Sequence, residues 1–67
     1  MRLYKVTLNW YGEIHLFFTH ANSESRARRN VYGQFGAKMG RTYSAVKRYF
    51  IDHPLGVKIG EVIPDGQ

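Results

Sequence analysis

The residues most able to do chemistry in this chain are cations crowded into one stretch. Residues 25–51 hold seven of the ten Lys and Arg residues and no Asp or Glu, so this stretch carries a formal +7 while the whole 67-residue chain carries +5. A surface field of one sign attracts polyanions and raises their rate of encounter. The candidate binding residues are Arg26, Arg28, Arg29, Lys38, Arg41, Lys47 and Arg48.

The absence of acids from this stretch favours a binding surface over an ordinary solvated helix face. Solvated helices usually mix the two signs, with Glu and Lys spaced four residues apart. Here all five acids lie outside the stretch. The pattern predicts a partner that is either nucleic acid, DNA or RNA, or an acidic protein surface.

The other reactive residues give little support for catalysis. The chain has no Cys, and its three histidines, His15, His20 and His53, lack the spacing of a metal motif. No paired carboxylates complete a site. The sequence predicts a protein that is not an enzyme and that needs no metal or cofactor.

The elements that would position the cations begin with a hairpin over about residues 3–20. Apolar residues alternate at Tyr4, Val6, Leu8 and Trp10, and a Gly-containing turn follows. In the second strand the inward residues are predicted to be Ile14, Leu16 and Phe18. The opposite sheet face would carry Lys5, His15 and Phe17 as secondary contact residues, beside Thr7, Asn9 and Thr19.

Two helices and a last strand are predicted after the hairpin. Residues 23–39 carry a stripe of Ala27, Val31, Phe35 and Met39 at helical spacing, and this helix could end near Gly33 or at Gly40. A shorter helix is predicted over about 43–51, a strand over about 57–63, and a tail after it. We therefore expect one α+β domain, residues 1–67, of order β-β-α-α-β. Its three-stranded, mainly antiparallel sheet would carry the helices on one face.

The length of the chain and its pattern of apolar residues limit the expected oligomeric state and cellular location. A 67-residue chain forms a lean core, and homodimerisation is one way for such a small domain to bury more surface. No apolar run approaches the length of a membrane span or of a signal sequence. We expect a cytoplasmic protein without a membrane partner.

The glycine-containing stretch between the predicted helices is similar in layout to that of KH domains. These domains carry a Gly-x-x-Gly loop between helices that clamps a nucleic-acid backbone. Aligned on Gly40, the first loop glycine becomes Ala37, whereas Gly33 and Gly36 keep the spacing with no basic residue between them. The resemblance covers residues 14–63 and implies nucleic-acid binding. The alternative is that Gly36 and Gly40 only separate two helices.

Two functions from different classes follow from these features. The first is a small basic nucleic-acid-binding domain that acts mainly through phosphate contacts from its acid-free helical surface. The alternative is a regulatory protein that binds and inhibits a host enzyme or defence complex. In its length, aromatic density and lack of catalytic groups, the chain resembles small phage-encoded inhibitors of this kind.

Overall fold

A computed structural model of the protein describes residues 1–63, so the tail predicted over residues 64–67 lies outside the described residues. The chain forms β1 (Arg2–Trp10), β2 (Glu13–Ala21), α1 (Glu24–Met39), α2 (Tyr43–Asp52) and β3 (Val57–Glu61), with a short 3₁₀ turn at Pro54–Gly56. The predicted α+β order β-β-α-α-β is confirmed. β3 ends two residues before the predicted boundary.

The three strands form one antiparallel sheet of order β2-β1-β3. β1 is the central strand because the hairpin places β2 on one side of it and β3 returns to the other. The hairpin turn consists of Tyr11 and Gly12, which both have positive φ, 51° and 87°. Two positive φ angles are the signature of the tight turn that matches the twist of paired strands.

Both helices begin at residues suited to that position. The Ser23 hydroxyl accepts a hydrogen bond from the Arg26 backbone N–H, and the Thr42 hydroxyl accepts one from that of Ala45. Side-chain acceptors of this kind satisfy N–H groups that have no partner within the helix. α1 runs through Gly33 and ends before Gly40, whose φ of 69° is left-handed.

The helices lie on one face of the sheet and enclose a single core. β1 contributes Tyr4, Val6, Leu8 and Trp10, the inward residues predicted from its alternation. α1 and α2 add apolar residues that include Ala27, Val31, Phe35, Val46 and Phe50. Met39, at the end of the predicted α1 stripe, is partly exposed instead. None of the helices within residues 1–63 is long and apolar enough to cross a membrane.

The predicted inward face of β2 is wrong. The side chains of Ile14, Leu16 and Phe18 are exposed, whereas His15 and Phe17 turn toward the helices. The reason is the two-residue turn, which pairs Trp10 with Glu13 and therefore Leu8 with His15 and Val6 with Phe17. Directly paired residues share a sheet face, so the odd-numbered residues of β2 must follow the even-numbered residues of β1 toward the core.

Candidate nucleic-acid interface

The helical surface contains a groove between α1 and α2. Its volume is about 550 Å³, and two residues after α2, Pro54 and Val57, also line it. Four of the seven predicted cations line it: Arg26, Arg28 and Arg29 from α1, and Lys47 from α2. No acidic residue is among the lining residues, which also include Ser25, Tyr32, Tyr43, Phe50, Ile51, Pro54 and Val57.

Helix packing accounts for the convergence of these cations. The residues of α1 that face the sheet are fully buried, and they are Ala27, Val31 and Phe35. Residues three or four apart lie on the same side of a helix, so Ser25, Arg28 and Arg29 share a different side, which borders the groove. Lys47, also a predicted binding residue, reaches the same groove because α2 packs against α1.

Aromatic rings form the floor of the groove. The Tyr32 and Phe50 rings stack with centroids 5.4 Å apart and an angle of 15°, and the Tyr43 ring lies 6.2 Å from that of Tyr32. Burial raises the pKa of Tyr32 above its ordinary value of 10.0, and the nearby Arg28 opposes that rise. Tyr43 remains 38% exposed at the edge of the groove, so part of its surface is open to a ligand.

The groove cations have no carboxylate partner among residues 1–63. In that part of the chain the contacts between basic and acidic groups join Arg2 to Glu61, at 3.9 Å, and His15 to Glu13, at 3.6 Å. Both contacts lie outside the groove, on the sheet. Four cations that share one concave surface without neutralising partners form a local positive field that an anion can enter.

The other three predicted binding residues are exposed but lie away from the groove. The Lys38 ammonium group is 6.0 Å from the centroid of the Phe17 ring, on the β2 side of α1. Arg41 belongs to the connection between α1 and α2, where its backbone N–H donates to the Gly36 carbonyl at 2.7 Å. Arg48 lies on α2 and does not line the groove. The predicted surface is therefore divided into a groove and separate flanking cations.

The predicted secondary contact is only partly on the open sheet face. Lys5 is exposed there, but His15 and Phe17 face the helices, for the register reason given above. The His15 ring lies 4.9 Å from that of Phe35, and the Phe17 ring lies 6.1 Å from it. His15 and Phe17 thus support the core. Within residues 1–63, no three His, Asp or Glu side chains lie close enough to hold a metal ion.

The glycines do not form the predicted loop between helices. Gly33 and Gly36 both lie inside α1, and Gly36 is buried. The absence of a side chain at Gly36 lets the backbone after α1 pass closely, because a Cβ there would lie 2.7 Å from the Arg41 carbonyl oxygen. Gly36 therefore sets the approach of α2 to α1, and Gly40 terminates α1.

Comparisons with known proteins identify no relative from which a function could be inferred. No protein-family model, no curated protein and no solved structure matches the chain.

Proposed function

We propose that the protein binds nucleic acid through phosphate contacts in the groove between α1 and α2. The observation that carries the proposal is the convergence of Arg26, Arg28, Arg29 and Lys47 on one concave surface without an acidic lining residue. Arg and Lys bind phosphate oxygens by charge-assisted hydrogen bonds. Binding releases the counterions condensed on the nucleic acid, which drives association at low salt.

The aromatic part of the groove favours single-stranded nucleic acid. An exposed tyrosine ring can stack on an unpaired base, and such stacking tolerates any sequence. Tyr43 has the required partial exposure and lies beside the cations. We therefore expect single-stranded DNA or RNA to bind more tightly than a duplex of the same length.

The salt dependence of binding has an expected size. If each of the four groove cations contacts one phosphate, the slope of log K against log salt is about −2.8 for a single strand and about −3.6 for duplex DNA. Fluorescence anisotropy of short labelled single-stranded DNA, RNA and duplex DNA measures this slope. Fourfold more salt should weaken single-strand binding roughly 50-fold.

Two lysine variants separate the groove from the total charge. Lys47→Ala removes a groove cation, whereas Lys58→Ala removes an exposed cation of β3 that does not line the groove. Both leave the same net charge. We expect Lys47→Ala to reduce the magnitude of the single-strand slope by about 0.7 and Lys58→Ala to leave it almost unchanged. Equal effects of the two variants would refute the assignment to the groove.

The host-protein regulator remains the alternative prediction, and the same titration separates the two functions. One outcome is nucleic-acid binding that is weak, disappears near physiological salt and is insensitive to Lys47→Ala. That result would favour an acidic protein surface as the partner of the groove. A pull-down from lysate, compared between Lys47→Ala and Lys58→Ala, would then be the next measurement.

A further inference from the structure

The outward face of β2 is the main apolar surface of the sheet that the groove does not use. Ile14, Leu16 and Phe18 are 65%, 51% and 54% exposed and lie in a row along one strand. We call these three residues the β2 stripe. Single exposed apolar residues are common, but contiguous ones mark an interaction surface.

The backbone N–H and C=O groups of the β2 stripe point away from β1, in the plane of the sheet. Val62 N–H donates to the Leu3 carbonyl, so Leu3 directs its peptide groups toward β3. Successive residues of a strand direct these groups to opposite sides. The peptide groups of Val6 and Leu8 therefore point toward β2. Those of the residues paired with them, Phe17 and His15, point back toward β1. The backbone groups of the β2 stripe are left at the free edge.

β2 lacks the features that usually protect an edge strand. Edges are commonly blocked by Lys, Pro, bulges or short length. β2 is nine residues long and contains none of the ten Lys and Arg residues and no Pro. The other edge strand, β3, has five residues and carries Lys58. β2 is also rich in apolar residues, and a long apolar edge strand is prone to pair with another strand.

We propose that β2 pairs antiparallel with β2 of a second copy of this chain, forming one six-stranded sheet. A strand paired with its own copy about a twofold axis meets the same surface on its partner. Because the free peptide groups belong to the even-numbered residues, Leu16 would lie opposite Leu16 or Phe18 of the second copy. When Leu16 lies opposite Leu16, Ile14 lies opposite Phe18 of the second copy, so each residue of the β2 stripe meets another apolar residue on the same sheet face.

Charge favours edge pairing over packing of two open sheet faces. Lys5 lies directly opposite Phe18 on the open sheet face, and Lys58 lies on the same sheet in β3, opposite Thr7. Packing the faces together would bury these lysines against copies of themselves, which costs free energy without a paired acid. Edge pairing joins the apolar strands and leaves both lysines at the solvent. The twofold axis then lies perpendicular to the sheet, so both helical layers occupy the same side.

Sedimentation equilibrium tests whether the chain associates through β2. We expect the average mass to rise with concentration from 7.8 kDa toward twice that value. Leu16→Lys should weaken the association at least tenfold, while Leu55→Lys, at a 92% exposed position after α2, should leave it unchanged. Both variants add one charge. A wild-type mass that stays constant up to about 1 mM protein, where even a very weak complex is populated, would overturn the proposal, and so would equal effects of the two variants.

Hydrogen exchange in the wild-type protein identifies the paired edge without relying on any variant. The amides of Ile14, Leu16 and Phe18 should become protected as concentration rises, because pairing places them in a backbone ladder. Association without this protection would refute edge pairing. Salt distinguishes this contact from the groove: edge pairing through apolar residues should persist at salt concentrations that abolish nucleic-acid binding.

Discussion

Gly36 provides a sharp test of how α1 and α2 are held together. An added Cβ at Gly36 would lie 2.7 Å from the Arg41 carbonyl oxygen and 3.5 Å from that of Thr42. These are backbone atoms, so the connection between the helices would have to move as a unit. The carbonyl of the same glycine accepts the Arg41 N–H at 2.7 Å, and this hydrogen bond would be strained by that movement.

Gly33 is a matched control in the same helix. It is exposed, and an added Cβ would meet nothing within 4 Å. Gly33→Ala should therefore stabilise the fold by about 1 kcal/mol through helix propensity alone. Gly36→Ala gains the same propensity but adds an overpacking cost of about 1–3 kcal/mol. We therefore expect the Gly36→Ala variant to be less stable than the Gly33→Ala variant by about 1–3 kcal/mol.

Urea unfolding followed by circular dichroism measures both free energies of unfolding. In thermal unfolding, a change of about 1 kcal/mol corresponds to roughly 4–8 °C in Tm for a domain of this size. Gly36→Ala should also weaken nucleic-acid binding, because a displaced α2 moves Lys47 away from the cations of α1. If both variants are stabilised equally and bind alike, the close approach at Gly36 does not position the helices.

Three further predictions concern single contacts. Thr42→Ala should cost about 1 kcal/mol of unfolding free energy in urea, because the Thr42 hydroxyl caps α2 through the Ala45 N–H at 3.1 Å. Tyr49→Phe should cost about 1 kcal/mol and speed hydrogen exchange of the Tyr11 amide, since the Tyr49 oxygen accepts that N–H at 3.0 Å. Burial raises the pKa of Tyr32, so the unfolded chain loses this proton first and stability falls as pH rises above about 10. Tyr32→Phe should remove that part of the alkaline dependence, and an unchanged dependence would contradict the pKa shift.

Much of the fold was predictable because its signals are local. The Gly40 terminator, one of the two helix ends that the sequence allows, and the alternation of β1 each act within a few residues of the chain. The groove was less predictable, because its shape depends on contacts between distant segments. The position of Lys47 opposite the arginines of α1 depends on the approach permitted at Gly36, which no spacing along the chain reveals.

The wrong prediction of the inward face of β2 has a physical cause that also bears on association with a second copy. Ile14, Leu16, Phe17 and Phe18 place apolar groups on both faces of the strand, so alternation alone does not choose the inward face. The two-residue turn does choose it, because Trp10 must be buried and its partner at position 13 shares its face. The outward apolar residues then remain exposed on the sheet face away from the helices. A long apolar edge strand is prone to pair with another strand, so the outward apolar residues that misled the face prediction also favour the proposed pairing with a second copy.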